Sequence, residues 1–200
     1  MDTSRFAVDL NRNPAKAVYL TPEDCWGLNA RTSPIPEALL AELRGDYQSW
    51  YALLDYQIDR LLKLHPFLVI LDLHSYNHRR GGPDAEADPQ AGNPDIIIGR
   101  SNLQQRHYPA AEDLRARLDG QLLLGQPLDC RADVKFTGGN LSRWLNSRHP
   151  ERLICLAIEF KKIFMDEWSG RLDLPAFQSL KQLFLGGVRN WLTEYRQFDI

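Results

Sequence analysis

The chain has 200 residues, 44% of them apolar, with a formal charge of -2. That length and composition suit one domain over residues 1–200 with a sizeable core. The near-neutral charge excludes a protein that holds nucleic acid by bulk electrostatics. No apolar run is long enough to span a bilayer and no signal peptide is read at Met1 to Phe6, so a cytoplasmic protein free of membrane is expected. Three widely spaced cysteines, Cys25, Cys130 and Cys155, fit neither a disulfide framework nor a zinc finger.

Arg5 to Leu10 reads as a short strand, followed by a proline-rich loop. From Pro36 the apolar positions Leu39, Leu43, Tyr47, Trp50, Leu54, Ile58 and Leu61 keep steps of three and four, which predicts a long amphipathic helix with Pro36 in its first turn. Gly45 marks a place for a bend. Phe67 to Leu73 is nearly unbroken apolar sequence, the pattern of a strand buried on both faces. Gly81 to Pro94 reads as an exposed loop and Asp95 to Gly99 as a second buried strand. Ala110 to Leu124 carries a helical stripe through Leu114, Leu118 and Leu122, and Asp133 to Phe136 an edge strand before the Gly138-Gly139 turn. Leu153 to Glu159 is a third buried strand. A last helix is expected from about Leu174 to Tyr195, with Phe177, Leu180, Phe184, Val188, Trp191 and Tyr195 on one side and Asp173 as its cap. Strands alternating with helices predict an α/β fold, a mainly parallel or mixed sheet with helices on both faces.

Chemistry concentrates at the strand ends, where ligands collect in open α/β sheets. Asp72 and His74 close the first apolar strand, a metal ligand with an orienting partner or a core-edge histidine satisfied by backbone. Asn77-His78-Arg79-Arg80 adds positive charge there, which would favour an acidic or polyanionic substrate. Glu159 ends the third strand, where partial desolvation would raise its pKa and suit acid-base work; a Glu-Lys pair is the plainer reading. Asn11 and Arg12 offer a fork for a carboxylate, as does Arg143 beyond the paired glycines. His65 sits at a helix end, and His107 and His149 read as solvated loop residues.

Asp9-Leu-Asn-Arg12, Asp72-Leu-His-Ser75, Asn93-Pro-Asp95 with Ile98-Gly99, Gly138-Gly139 and the strand ending at Glu159 stand in the order and approximate spacing of the N-formylglutamate amidohydrolase family, which the chain resembles over nearly its whole length. The resemblance implies a carboxypeptidase-like (phosphorylase/hydrolase-like) fold and a zinc-dependent cleavage of an N-formyl or N-acyl amino acid. Zinc lowers the pKa of its bound water from about 15.7 to about 7. By similarity His74 would be a metal ligand, Asp72 its second-shell partner and Glu159 the proton shuttle. Asn11 and Arg12 would hold the substrate carboxylate, and Arg143 a second carboxylate or the oxyanion. Family members carry two further zinc ligands in a segment before the Asp-Leu-Asn-Arg motif, which this chain, beginning shortly before its own motif, is expected to lack. An exposed sheet edge and self-association are then expected. The alternative is a non-catalytic module that binds a carboxylate on the same fold.

Overall fold

A computed structural model of the chain describes residues 4–195, the Tyr195 side chain excepted. Its helices are α1 (Glu37–Leu64), α2 (Tyr108–Leu118), α3 (Asn140–Arg148) and α4 (Leu174–Tyr195). Its strands are β1 (Leu68–Tyr76), β2 (Ile96–Gly99), β3 (Leu122–Leu123), β4 (Gln126–Pro127), β5 (Cys130–Ala132) and β6 (Leu153–Lys161). Four strands form a mixed sheet in the order β1-β6-β2-β5, while β3 and β4 make a small hairpin. β1 runs parallel to β6, β2 antiparallel to β6, and β5 parallel to β2.

Strand alternation divides the core into two layers. Ile154, Leu156 and Ile158 of β6, with Val69 and Leu71 of β1, pack against α2 and α4 around Leu114, Leu118, Phe184 and Trp191. Leu153 and Cys155, with Leu68 and Ile70, pack under Ile58 and Leu62 of α1 and Leu145 of α3. Helices therefore cover both faces, as the sequence predicts. The two outer helices on the first side meet closely: a Cβ on Gly187 would stand 2.7 Å from Leu118, which explains a glycine inside α4. Asp173 caps α4 by accepting the Ala176 amide at 3.0 Å.

Several expectations need correction. Arg5 to Leu10 is a chain of turns, because the Ala7 and Val8 amides bond back to Ser4 and no described strand lies alongside. Pro36 precedes α1 as its cap, and Gly45 leaves the helix unbroken. β1 is an edge strand and only partly buried, with Leu73 55% exposed. An apolar cleft of about 440 Å³ runs beside it, lined by Phe160, Phe164 and Phe184. α2 stops at Leu118; Gly120 then takes a left-handed φ of 73° and Leu122 lies exposed in the hairpin. The short strand comes at Cys130–Ala132, ahead of residues 133–136, where Asp133 has a φ of 52° and caps Arg100. His107 is buried rather than solvated. Tyr195, expected on the α4 stripe, has its side chain outside the described residues. None of the described helices is long and apolar enough to cross a membrane.

Candidate active site

Parallel pairing of β1 with β6 sets His74 directly beside Glu159. Both, with Asp72, fall on the face covered by α1 and α3, because alternate residues of a strand share a side. Toward the strand starts this face is apolar; at the carboxyl ends it turns polar. His74 Nε2 lies 2.8 Å from Asp72 Oδ1, with the carboxylate 8% and the imidazole 29% exposed. That hydrogen bond raises the imidazole pKa above its usual value against the opposing effect of burial. Burial raises the Glu159 carboxyl, and the charge of Asp72 pushes it the same way, while His74 and Arg5 pull it back. Asp72 Oδ2 is buried without a hydrogen-bond partner.

The segment from Ser4 to Arg31 closes over this end of the sheet. Val8 and Ala17 pack on Tyr47 and Tyr51 of α1, whose hydroxyls donate to the carbonyls of Arg12 and Leu10 at 2.8 and 2.7 Å. Its organising centre is Asp9, only 4% exposed. Asp9 accepts from Arg5 Nη2 at 2.7 Å, from the Asn11 amide at 3.0 Å and from the Tyr19 hydroxyl. Arg12 Nε stands 3.7 Å away. Trp26, held at a φ of 59°, lies within 5.4 Å of the Arg5 guanidinium and 5.2 Å of Arg12, and Tyr19 within 4.8 Å of Arg12. Both Nη groups of Arg12 lack an acceptor among the described residues, leaving a fork suited to a carboxylate.

Asn11 joins this loop to the sheet. Its Nδ2 lies 3.4 Å from His74 Nε2, and its Oδ1 accepts the Leu141 amide at 2.9 Å at the start of α3. The contact requires glycine at position 139, where a Cβ would come within 2.2 Å of the Asn11 carboxamide. A Gly139→Ala substitution is therefore expected to push Asn11 off His74. The Michaelis constant for a carboxylate-bearing substrate should rise about tenfold, what a charge-assisted hydrogen bond of roughly 1.5 kcal/mol is worth. An unchanged constant in steady-state kinetics would count against this role.

Burial acts to raise the Asp9 carboxyl, but hydrogen bonds from Tyr19 and Arg5 outweigh it and hold its pKa below the ordinary aspartate value. A carboxyl depressed by folding stabilises the fold above its unfolded pKa and loses that contribution as pH falls through the folded value. Asp9→Asn should accordingly flatten the acid side of a urea-midpoint-versus-pH curve. A curve parallel to that of the parent chain would refute it.

Asp72, His74, Glu159, Asn11 and Arg12 are thus brought together. Arg143 sits exposed on the first turn of α3 and contacts none of them. Arg79 is taken up by the carbonyls of Pro83 and Ala85. His78 turns to Glu167, which also receives the His78 and Arg79 amides at 2.7 and 3.1 Å. The buried Lys161 pairs with Asp95 at 2.5 Å and with the Asn93 carbonyl at 3.0 Å, so the expected Glu-Lys pair does not form. Sequence reasoning passed over Arg5 and the central role of Asp9. The available signal was an aspartate with arginines four residues before and three after.

A mixed sheet between helical layers, with His74 and Glu159 side by side at the strand ends beneath an arginine-bearing loop, places the chain in the α/β class. The chain belongs to the N-formylglutamate amidohydrolase family, whose model matches residues 1–165. A crystal structure of N-formylglutamate amidohydrolase from Ralstonia eutropha is similar, with a TM-score of 0.63 and 17% identity over 96% of this chain and 74% of that one. A gene product of Agrobacterium tumefaciens follows with a TM-score of 0.57 and 15% identity over 94% and 68%. No curated protein matches the chain.

Proposed function

We propose that this chain hydrolyses the N-formyl or N-acyl group of an amino acid, N-formylglutamate being the first substrate to try. The observation that carries the reading is the His74–Glu159 pair, in register on adjacent strands beneath the Asp9-centred loop. Arg12, with Asn11 beside it, would take the substrate carboxylate and so hold the acyl carbonyl over Glu159. Ionised Glu159 would accept a proton from water as the water oxygen bonds to the carbonyl carbon. The carbon-nitrogen bond then breaks, Glu159 returns that proton to the departing amine, and the acyl group leaves as formate or another carboxylate. His74, whose pKa the Asp72 hydrogen bond raises, would in its protonated form add positive charge beside the developing oxyanion.

Zinc is implied by the family likeness. The described donors do not complete a site for it, and the roles given are those of the chain's own side chains. This incomplete donor set favours the second reading, a carboxylate-binding module without turnover. The test is formate release from a panel of N-formyl amino acids, with and without added zinc sulfate, beside calorimetric titration of the same compounds. Release of formate supports the hydrolase. Binding without release, unaffected by Glu159→Gln, supports the module and removes the hydrolase.

A further inference from the structure

A catalytic zinc is ordinarily held by three protein ligands with a water in the remaining position. Asp72 prepares His74 for such a role: by engaging Nε2 at 2.8 Å it leaves Nδ1 as the free nitrogen, the arrangement found behind many metal-bound histidines. Nothing described stands ready to join that nitrogen in a set of three. Among the described residues no group of three or more histidine, cysteine, aspartate or glutamate side chains could hold a metal ion.

The chain's five histidines and three cysteines can each be placed. His78 is turned to Glu167 at 2.7 Å, and His149 stands 3.4 Å from Asp59 of α1. His65 ends α1 and His107 precedes α2. Cys25 donates to the Leu28 carbonyl at 2.9 Å, while Cys130 and Cys155 are buried within strands. Of the nearby carboxylates, Asp9 is saturated by Arg5, Tyr19 and the Asn11 amide. Glu159 and the second oxygen of Asp72 remain beside His74, yet the described donors there do not make a set of three that could hold the ion. β1 is the sheet's edge, so no described strand on its far side offers another donor. The residues outside the described range add only Asp2 and Asp199 as acidic side chains, and no histidine or cysteine.

We infer that this chain's own donors do not hold a catalytic zinc ion, and that His74 serves in it as the hydrogen-bonded partner of Asp72, with the Asn11 carboxamide beside it, rather than as a ligand. This bears on the hydrolase reading without depending on it.

The test is zinc content after the purified 200-residue chain has been incubated with zinc sulfate and passed through gel filtration. A competition titration against a chromophoric chelator, with His74→Ala in parallel, accompanies it. The inference expects zinc far below one equivalent and no site tighter than micromolar, alike in both proteins. Stoichiometric zinc that persists equally in His74→Ala overturns the statement that the chain's own donors hold none. Stoichiometric zinc lost on His74→Ala overturns it. Formate release is measured on the same samples with and without chelator. A zinc-free chain that fails to release formate contradicts the hydrolase reading alone.

Discussion

Replacing Glu159 with glutamine is expected to lower kcat for deformylation by about two to four orders of magnitude, the usual worth of a positioned general base and acid. Glutamine keeps the shape of the side chain but can neither take the proton from water nor return it to the amine. The Michaelis constant should stay close to that of the parent, since carboxylate binding falls to Arg12 and Asn11. The fold should not suffer. A carboxyl whose pKa is raised by folding adds stability only below its unfolded value and loses it as pH rises through the folded one, so near neutrality the charge of Glu159 is a burden that glutamine removes. The urea midpoint at neutral pH should therefore hold or rise. The same shift places the acidic limb of the parent's kcat/KM profile above the ordinary glutamate value, because the ionised form is the base. A variant that keeps a tenth or more of the parent's kcat would remove Glu159 from the chemistry.

The largest loss of stability is expected from Trp191→Ala, at about 3–5 kcal/mol. Trp191 is fully buried on α4, in the cluster that joins α2 and α4 to the β6 face, and its indole donates to the Ala110 carbonyl at 2.9 Å. Alanine would leave a large cavity between two helices and a sheet that cannot collapse independently. Leu64, an apolar side chain 75% exposed at the end of α1, provides the contrast: Leu64→Ala should move the urea midpoint very little. A Trp191→Ala loss below about 1.5 kcal/mol would mean that this core repacks far more freely than such cores do.

Burial and periodicity were legible where one element decides them. The stripe of α1, the apolar runs of β2 and β6, and the cap of α4 at Asp173 are local patterns that a single segment fixes. What escaped depends on neighbours. Phe67 to Leu73 is as apolar as Leu153 to Glu159, yet β6 is central and β1 is an edge, a matter of strand order that neither run encodes. α3 escaped because its start is capped from a distance, by Asn11 accepting the Leu141 amide, and Gly138-Gly139 resembles a bare turn without that partner. Asp72, His74, Glu159, Asn11 and Arg12 were legible as strand-end or loop chemistry. Arg5 was not, because its partner Asp9 becomes central only when Tyr19 and Trp26 fold over it.

The edge position of β1 also sets a pattern in time. Backbone amides of β6 lie between two partners, β1 and β2, and most of the strand's residues are buried. In β1 only the amides that face β6 share that protection, while those pointing outward have no ladder to join among the described residues. Deuterium should therefore enter β1 at alternate residues, fast and slow in turn, while β6 fills last and nearly uniformly. The strand that carries His74 would keep half its clock running at the pace of solvent, beside a strand that opens only when the whole sheet does.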